Sequence, residues 1–395
     1  MGRVLIIIAS LLIIVGLLFF VVTMSIYGWD FGKLATSGYV ERSYEPVGEF
    51  TSISIDTKTA NVSFAPSTDG ACRVVCFEKE RMRHIVSISD GVLTIKHEDG
   101  RRWYDYIFNF GKDTVTVYLP ESEYDKLCIK GDTGDVNIPT GFAFGSMDIS
   151  LDTGDVRTSA SVAADAKIKT STGDVYLSSL TLGSLDVVSS TGDVHIDKVG
   201  TAGGVRLERS TGNVYINELS AAGDAYIKVS TGDTYIYKLG VNSLTTEGDT
   251  GDFTARELTA RENVKINRTT GEIELEDLSV GLELNIFTTT GEVELSDVCC
   301  ADLIACVDTG DLSLEDVLAS GKFDIKSDTG EVDFDRCDAA EIYVDTETGD
   351  VEGSLLSDKV FIVRTTTGSV RVPSTISGGR CEINTTTGDV KITIG

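Results

Sequence analysis

The hydrophobic and polar positions of this chain follow a repeat of 19 or 20 residues over roughly its last two thirds. Each repeat contains a Thr-Gly pair, with glycines at 134, 154, 173, 192, 212, 232, 251, 271, 291, 310, 330, 349, 368 and 388. Apolar residues usually follow the glycine by two and four positions, as in Val175 and Leu177, and another precedes it by five, as in Ile168. Alternation at period two predicts a short strand with one buried face on each side of the Thr-Gly corner.

A unit of this length cannot bury its own apolar face, but a stack of equivalent units can. We therefore predict an all-β fold, a right-handed parallel β-helix or β-solenoid of about 14 coils in residues 129–395. Each strand would pair with its equivalent one coil on, at about 4.8 Å. The corner glycine is expected to have a positive φ or to leave no room for a Cβ. A leucine-rich horseshoe has repeats of similar length, but its Leu-x-x-Leu-x-Leu signature is absent.

The amino-terminal segment is apolar. Val4 to Val22 carries no charge and none follows before Asp30, so this stretch is long enough to cross a bilayer, with Tyr27 and Trp29 at the far interface. We predict a signal-anchor, with a cleaved signal peptide as the alternative. A weak charge bias places the amino end inside and the bulk of the chain outside. The predicted divisions are a cytoplasmic tail at 1–3, a transmembrane signal-anchor helix at 4–27 and a linker at 28–40.

Residues 41–128 are rich in strand-like segments but less regular than the repeats. Thr59-Ala60-Asn61-Val62 is a degenerate copy of the corner with Ala in place of Gly. We predict that this segment caps the amino end of the rod, because a bare terminal coil exposes unpaired backbone. No such segment follows the last predicted strand, Val390–Ile394. This predicts end-to-end self-association, or docking of a partner, through an uncapped C-terminal coil.

The chain is strongly acidic, with a net charge of −28 and a pI near 4.4, which argues against nucleic acid as a partner. Solubility alone explains much of this excess. The position directly after the corner glycine nevertheless forms what we call the acid column, interrupted only by Asn213 and Ser369. Its members are Asp135, Asp155, Asp174, Asp193, Asp233, Asp252, Glu272, Glu292, Asp311, Glu331, Asp350 and Asp389.

Carboxylates crowd further where an aspartate also precedes the Thr-Gly pair in adjacent units. Because oxygen-rich clusters can hold Ca²⁺, these positions are candidate calcium sites, although their spacing differs from that of known calcium-binding β-rolls. One candidate cluster is Asp132, Asp135, Asp152 and Asp155; the other is Asp308, Asp311, Asp328 and Glu331. No other cofactor is predicted.

Catalytic motifs are absent from the sequence. The histidines, His84, His97 and His195, have no cysteine or acid cluster at metal-ligand spacing, and no nucleotide-binding, serine-hydrolase or zinc-protease motif occurs. The outward tyrosines Tyr176, Tyr215 and Tyr235 form an incomplete aromatic stripe, for which strand packing is a simpler explanation than sugar binding.

The eight cysteines show no metal-binding pattern. Cys299, Cys300 and Cys306 are near enough for a local disulfide, but we predict no disulfide framework. Free thiols are unusual in an oxidising compartment, which favours either an anaerobic host or a rod that faces the cytoplasm.

The chain resembles the putative-adhesin family of bacterial β-strand-repeat domains, a family of unknown biochemical function. The resemblance rests on Ile53–Phe64 (ISIDTKTANVSF), Val115–Pro120 (VTVYLP), Ile129–Ile138 (IKGDTGDVNI) and the Thr-Gly-Asp-Val units, and covers the chain from about Glu49 onward. It implies a β-solenoid domain, commonly attached to the cell envelope, with no established catalytic residues.

These observations favour a non-catalytic, single-pass membrane protein whose bulk is extracytoplasmic. Its β-solenoid would act at the cell surface as a structural, adhesive or binding module for an unknown glycan or protein, because repeated weak contacts add through multivalency. An envelope-sensing regulatory membrane protein is the alternative. A polysaccharide-acting β-helix enzyme ranks third, because the carboxylates repeat evenly and no coil is singled out.

Overall fold

The computed structural model describes residues 2–26, 28–29, 39–79, 82–100 and 113–395. One helix, α1 (Gly2–Ile26), precedes an all-β body. Its segment Ala9–Ile26 has a mean hydropathy of 2.7, long and apolar enough to cross a membrane, although a signal sequence near the amino terminus has the same properties. The predicted interface residue Tyr27 and most of the predicted linker lie outside the described residues.

The amino-terminal part of the β body consists of seven strands with mixed pairing. Strand β1 runs antiparallel to β4, which is antiparallel to β7, and β5 and β6 form an antiparallel hairpin. The strands are β1 (Tyr39–Tyr44), β2 (Ser52–Thr57), β3 (Ala60–Pro66), β4 (Arg73–Lys79), β5 (Met82–Ser89), β6 (Val92–Asp99) and β7 (Asp113–Leu119).

The remaining strands pair in parallel with their equivalents in the neighbouring coil and form a β-solenoid, as the repeat predicts. They are β8 (Glu123–Thr133), β9 (Val136–Ile138), β10 (Ala143–Thr153), β11 (Val156–Thr158), β12 (Ser161–Thr172), β13 (Val175–Thr191), β14 (Val194–Thr201), β15 (Val205–Thr211), β16 (Val214–Ala221), β17 (Ala225–Thr231), β18 (Thr234–Val241), β19 (Leu244–Thr250) and β20 (Phe253–Ala260). They continue with β21 (Val264–Thr270), β22 (Ile273–Val280), β23 (Glu283–Thr290), β24 (Val293–Cys300), β25 (Asp302–Thr309), β26 (Leu312–Glu315), β27 (Leu318–Thr329), β28 (Val332–Thr348), β29 (Val351–Leu355), β30 (Lys359–Thr367), β31 (Val370–Arg371), β32 (Gly379–Thr387) and β33 (Val390–Ile394).

The corner glycines satisfy both expectations for them. Every Thr-Gly glycine from Gly134 to Gly388 has a positive φ, between 119° and 159°. A Cβ added at any of them would lie only 1.8–2.4 Å from the carbonyl oxygen of the equivalent residue in the adjacent coil. No L-side chain fits such a position, so the Thr-Gly corner is required by both backbone conformation and stacking distance.

Each coil also contains a second corner that the sequence repeat did not reveal. Six residues after the Thr-Gly glycine, a polar residue has a positive φ of 52–69° in most coils, as at Lys198, Glu218 and Asp297. For a non-glycine residue, this left-handed conformation costs about 1 kcal/mol or more. The residues at this corner share no common side chain, which is why the turn leaves no signature in the repeat.

The apolar positions around the corners form one continuous core. Val175, Leu177 and Ile168 are at most 2% exposed, and equivalent residues are buried in nearly every coil. Each such side chain contributes about 1.5–3 kcal/mol when buried. Because each coil shares this core with its neighbours, the stack is stable as a whole while a single coil is not.

The amino-terminal strands continue the stack. Strand β2 pairs in parallel with β8, and β3 pairs in parallel with β9. Ala60 occupies the corner position below Gly134, because a Cβ added to Gly134 would lie 2.3 Å from the Ala60 carbonyl oxygen. The degenerate corner predicted at residues 59–62 is therefore an irregular first coil, onto which the antiparallel strands are added.

At the other end, the order of the coils in space differs from their order in sequence. Strand β32 pairs with β28 on one side and with β30 on the other, and β33 lies in the same way between β29 and β31. The prediction that the last coil in sequence forms the uncapped end is therefore wrong. The end of the rod is β30 and β31, where Val360 and Val370 are exposed and Pro373 follows shortly after. Proline blunts an open edge because it has no backbone donor.

Candidate binding surface along the rod

The acid column is a hydrogen-bonded ladder. The backbone N–H of Asp155 donates to Oδ1 of Asp135 at 3.1 Å, and that of Asp174 donates to Oδ1 of Asp155 at 2.9 Å. The same bond recurs wherever the coil below carries Asp or Asn. Its acceptors are Asn61, Asp135, Asp155, Asp174, Asp193, Asn213, Asp233, Asp252, Asp311, Asp350 and Asp389. Each carboxylate thus satisfies a corner amide that no backbone carbonyl reaches, which explains the preference for Asp at this position.

The ladder is interrupted at the glutamates. No corresponding bond to Glu272, Glu292 or Glu331 occurs in the described part of the chain. Instead, carboxylate oxygens of Glu272, Glu292 and Glu294 lie within 4.8 Å of one another on the exposed surface. Burial and then the neighbouring carboxylates, Glu294 first among them, raise the pKa of Glu272 above its usual value. We call Glu272, Glu292 and Glu294 the acidic patch; all three side chains are exposed.

Two buried arginines lie beneath the half of the column that precedes this patch. Arg209 and Arg268 are 3% and 1% exposed. Nη2 of Arg268 donates to Oγ1 of Thr234 at 3.0 Å, and its guanidinium lies 5.3 Å from the ring centre of Phe253. Burial lowers the pKa of Arg268 to about 10, opposed by the charges of Asp233 and Asp252.

Arg209 shows the same balance between burial and the acid column. Burial lowers its pKa, and the nearby charges of Asp193 and Asp174 oppose that change. The buried cations therefore offset part of the negative charge of Asp174, Asp193, Asp233 and Asp252. At Glu272, by contrast, the charges that act on the pKa are the carboxylates Glu294, Asp252, Glu292 and Glu274.

A continuous aromatic stack runs beside the first half of the column. Tyr176, His195, Tyr215 and Tyr235 stack with successive ring centres 4.7, 4.9 and 5.4 Å apart and interplanar angles of 1°, 7° and 9°. Arg157 covers the free face of Tyr176, with its guanidinium 4.6 Å from the ring centre. The stripe predicted from the tyrosines alone has a gap, and His195 fills it.

The stack is tied to the acids next to it. The hydroxyl of Tyr176 donates to Oδ2 of Asp174 at 3.0 Å, and that of Tyr235 donates to Oδ2 of Asp233 at 3.1 Å. Arg157 and the neighbouring rings cover both faces of Tyr176, His195 and Tyr215, so a sugar ring cannot lie flat on these three. Tyr235 ends the stack and is 39% exposed. The stack is therefore a packed strand face and not a continuous aromatic platform.

The predicted calcium residues are engaged in other interactions. Asp132 lies 3.6 Å from the ammonium of Lys58, Asp155 accepts from Arg157 at 2.8 Å, and Asp311 accepts from the backbone of Glu331 at 2.8 Å. Among the described residues, two groups of three or more metal-binding side chains have all their ligand atoms within 4.8 Å of one another. Neither includes a member of the two predicted clusters, and calcium binding there stays a prediction.

One of those groups lies inside the amino-terminal strands, where the sequence spacing indicated no metal site. It comprises Cys76, Glu78 and His84, which are 0%, 0% and 1% exposed. Cys76 and Glu78 lie two residues apart on the same face of β4, and the antiparallel pairing of β4 with β5 brings His84 onto them. The proximity depends on this strand pairing, which a count of residues between His and Cys does not show.

All eight cysteines are free thiols in this structure. Burial raises the pKa of Cys76, Cys300 and Cys381 to about 12. The thiolate is the reactive form, so these side chains resist oxidation. Of the cysteines, Cys299 alone is exposed. Free thiols are therefore a weaker objection to an oxidising compartment than the sequence suggested.

The fold and its repeated surface define a parallel β-solenoid with an acidic face. The chain belongs to the Toastrack DUF4097 family, whose model matches residues 50–208, 201–298 and 282–395. This confirms the resemblance to the putative-adhesin family of β-repeat domains. No curated protein sequence matches the chain.

Solved structures that are similar to this chain come from Bacteroides and Parabacteroides species. One described as a putative adhesin from Bacteroides fragilis is 19% identical and covers 65% of this chain and 98% of its own, with a TM-score of 0.37. A putative adhesin from Parabacteroides merdae is 10% identical over 81% of this chain and 97% of its own, with a TM-score of 0.28. A protein from Parabacteroides distasonis described as a putative lipid binding protein is 10% identical over 81% of this chain and 98% of its own, with a TM-score of 0.21. Scores this low transfer neither ligand nor function.

Proposed function

We propose that this protein is a membrane-anchored, extracytoplasmic rod that binds an extended cationic partner along its acidic patch and performs no catalysis. The observation that carries the proposal is the division of the acid column. In its first half the carboxylates bond to corner amides, to tyrosines or to Arg157, whereas in the acidic patch Glu272, Glu292 and Glu294 are exposed and crowded.

The chemistry of the patch favours a cation. Burial first, and then repulsion from the neighbouring carboxylates, raise the pKa of Glu272, and a Lys or Arg side chain of a partner would relieve the repulsion. Successive column positions are one coil apart, about 4.8 Å, so an extended basic segment could contact several carboxylates at once. Each exposed contact is worth at most about 1 kcal/mol, and useful affinity depends on their number.

A neutral glycan is a weaker candidate for this surface. Sugar-binding sites use exposed aromatic faces, and neighbouring rings or Arg157 cover both faces of Tyr176, His195 and Tyr215. Tyr235, at the end of the stack, is the exposed ring of the four. The repeated surface also supports a non-catalytic role, because equivalent carboxylates recur from coil to coil and no pair of them is held apart from the others.

Binding can be tested with the full chain in detergent and a lysine-rich peptide. The variant Glu272→Gln/Glu292→Gln/Glu294→Gln is expected to lose most of the binding and to reduce its salt dependence. The matched control Asp148→Asn/Asp345→Asn/Asp358→Asn removes the same number of charges from exposed positions elsewhere and is expected to bind as the unmodified protein does. Equal losses in both variants would mean that only net charge matters and would contradict the proposal.

The orientation can be tested at Cys299, the exposed cysteine. In intact cells, a membrane-impermeant maleimide is expected to label the full chain and to leave Cys299→Ser unlabelled. Labelling only after the cells are lysed would place the rod in the cytoplasm and overturn the proposed location. Retention of α1 in the membrane-bound protein, measured by its intact mass, separates an anchor from a cleaved signal sequence.

A further inference from the structure

A buried cluster of sulfur, nitrogen and oxygen donors lies outside the acid column, in the amino-terminal strands. The side chains of Cys76, Glu78 and His84 are almost completely buried, and one ligand atom from each lies within 4.8 Å of the other two. Donors that share one tetrahedral zinc ion at about 2.0–2.3 Å lie about 3.3–3.8 Å apart. The cluster would therefore have to contract by up to about 1 Å to hold a metal ion.

The surrounding strands fix the position of the cluster. Strand β4, which carries Cys76 and Glu78, is paired on one side with β1 and on the other with β7. Within it, Cys76 lies opposite Arg42 and Val115. His84 lies on β5 and is paired with His97 of β6, with ring centres 5.4 Å apart. The donors are thus held on strands inside a core, and His97 is a further nitrogen donor close by.

The types of donor select the class of metal. Thiolate and imidazole are ligands for transition metals such as zinc, whereas calcium and magnesium take oxygen ligands. A thiolate, a carboxylate and a neutral imidazole together carry two negative charges, which match one divalent cation. We propose that Cys76, Glu78 and His84 form a binding site for a divalent transition-metal ion, with zinc the best match.

The metal-free cluster is an ion and hydrogen-bond network that a metal would have to rearrange. Glu78 Oε1 accepts from Nη1 of Arg42 at 3.0 Å, while Oε2 accepts from the backbone N–H of His84 at 2.7 Å and lies 2.8 Å from His84 Nδ1. Nε2 of His84 lies 3.4 Å from Oγ1 of Thr57. A metal bound by both Glu78 and His84 would take the place of the proton between Glu78 Oε2 and His84 Nδ1, and the ring proton of His84 would then lie on Nε2, facing Thr57.

Metal binding would release a proton. The Cys76 thiol must lose its proton to bond the metal through Sγ, and that proton passes to solvent. Because the metal must displace that proton, the site is expected to bind more tightly as the pH rises.

The site can be tested on the full chain in detergent after removal of metal with a chelator. Titration with Co²⁺ is expected to give one ion per chain and a sulfur-to-cobalt charge-transfer absorption, and Zn²⁺ is expected to displace the Co²⁺ and raise the thermal midpoint. Cys76→Ser should abolish the absorption, and His84→Gln should weaken binding about tenfold or more. The control Cys381→Ser removes a thiol that is equally buried in the rod and should change none of these results.

Two results would overturn the proposal. One is the absence of stoichiometric binding to the unmodified chain, which does not depend on whether a variant folds. The other is a Cys76→Ser variant that keeps both the stoichiometry and the absorption. Circular dichroism of each variant shows whether the strands have formed. The acidic patch plays no part in these measurements, so their outcome is independent of the proposed function.

Discussion

The two halves of the acid column have the same repeat but different surroundings. From Asp135 to Asp252 every column residue is Asp or Asn and accepts a hydrogen bond from the next coil. From Glu272 to Glu331 most column residues are glutamates, and of these positions Asp311 alone accepts such a bond within the described residues. The first half also has the aromatic stack outside and the arginines beneath.

This difference shows how one methylene group changes the role of a repeated acid. The short Asp side chain positions its carboxylate over the corner amide, and it becomes part of the scaffold. The longer Glu side chain extends past that amide into solvent, where it repels its neighbours and is available to a ligand. A repeat can thus be uniform in charge while one part supports the rod and another part leaves its carboxylates exposed.

The largest effect is expected at the corners, which the two halves share. Gly173→Ala and Gly291→Ala should each destabilise the protein by about 3 kcal/mol or more, because positive φ is combined with a Cβ 2.1 or 2.0 Å from a carbonyl oxygen. Gly200→Ala is the control, since nothing lies within 4 Å of its added Cβ. Thermal and denaturant unfolding would measure the changes. A much smaller cost in either half would contradict a common corner geometry.

An intermediate effect is expected from exchanges at the column itself. Asp193→Ala removes the acceptor for the Asn213 amide, a 2.8 Å bond, and should cost about 1–2 kcal/mol. Glu292→Ala should cost less than about 0.5 kcal/mol, and Glu292→Asp should stabilise by restoring the ladder. Asp193→Asn is the control that keeps the acceptor, as Asn213 does for Asp233. If Asp193→Ala and Glu292→Ala are equivalent, the ladder does not stabilise the rod.

A smaller effect is expected in the pKa values of the column carboxylates, which should differ between positions that accept a hydrogen bond and positions that do not. Backbone and side-chain hydrogen bonds from Ser369 lower the pKa of Asp389, so its contribution to stability is present above the unfolded-state pKa and is lost as the pH falls through the folded-state value. The raised pKa of Glu272 has the opposite sign: its ionisation destabilises the fold as the pH rises towards and through the folded-state value. Carboxyl NMR titrations, assigned with Asp389→Asn and Glu272→Gln, should place the two pKa values on opposite sides of normal.

The smallest effect is expected from calcium. If either predicted cluster, Asp132, Asp135, Asp152 and Asp155 or Asp308, Asp311, Asp328 and Glu331, binds Ca²⁺, millimolar Ca²⁺ should raise the thermal midpoint more than NaCl of matched ionic strength does. Asp152→Asn and Asp328→Asn should remove that difference. Equal effects of the two salts would exclude specific binding at both clusters.

Local repetition in the sequence was sufficient to predict the corners, the parallel stack and the buried alternation around residues such as Val175. It also identified the degenerate corner at Ala60. It did not reveal that His195 completes a stack of tyrosines. A search for one residue type skips the histidine, and only the positions of the rings show that it fills the gap. Nor could it reveal the cluster of Cys76, Glu78 and His84. The antiparallel strands β4 and β5 bring these residues together, and both strands lie outside the repeat.

The local sequence pattern also could not predict the spatial order of the final coils. Residues 359–371 and 379–394 have the same Thr-Gly corner and the same alternation, so either could follow β28 and β29. The choice depends on which coil better covers the core. Val390 and Cys381 are completely buried in the inner position, whereas Val360 and Val370 tolerate exposure at the end.

The inverted order at this end has a consequence for how the protein is made. Residues 379–394 are synthesised after residues 359–371 but occupy the coil between them and the rest of the rod. The earlier segment must therefore stay unpacked, or be displaced, until the later one is in place. The coils therefore cannot all be added in sequence order, and the coil that is synthesised last is inserted in a separate step. A ribosome-stalled chain that lacks residues 379–394 would expose the apolar surface that these residues cover. Proteases and chaperones recognise surfaces of this kind.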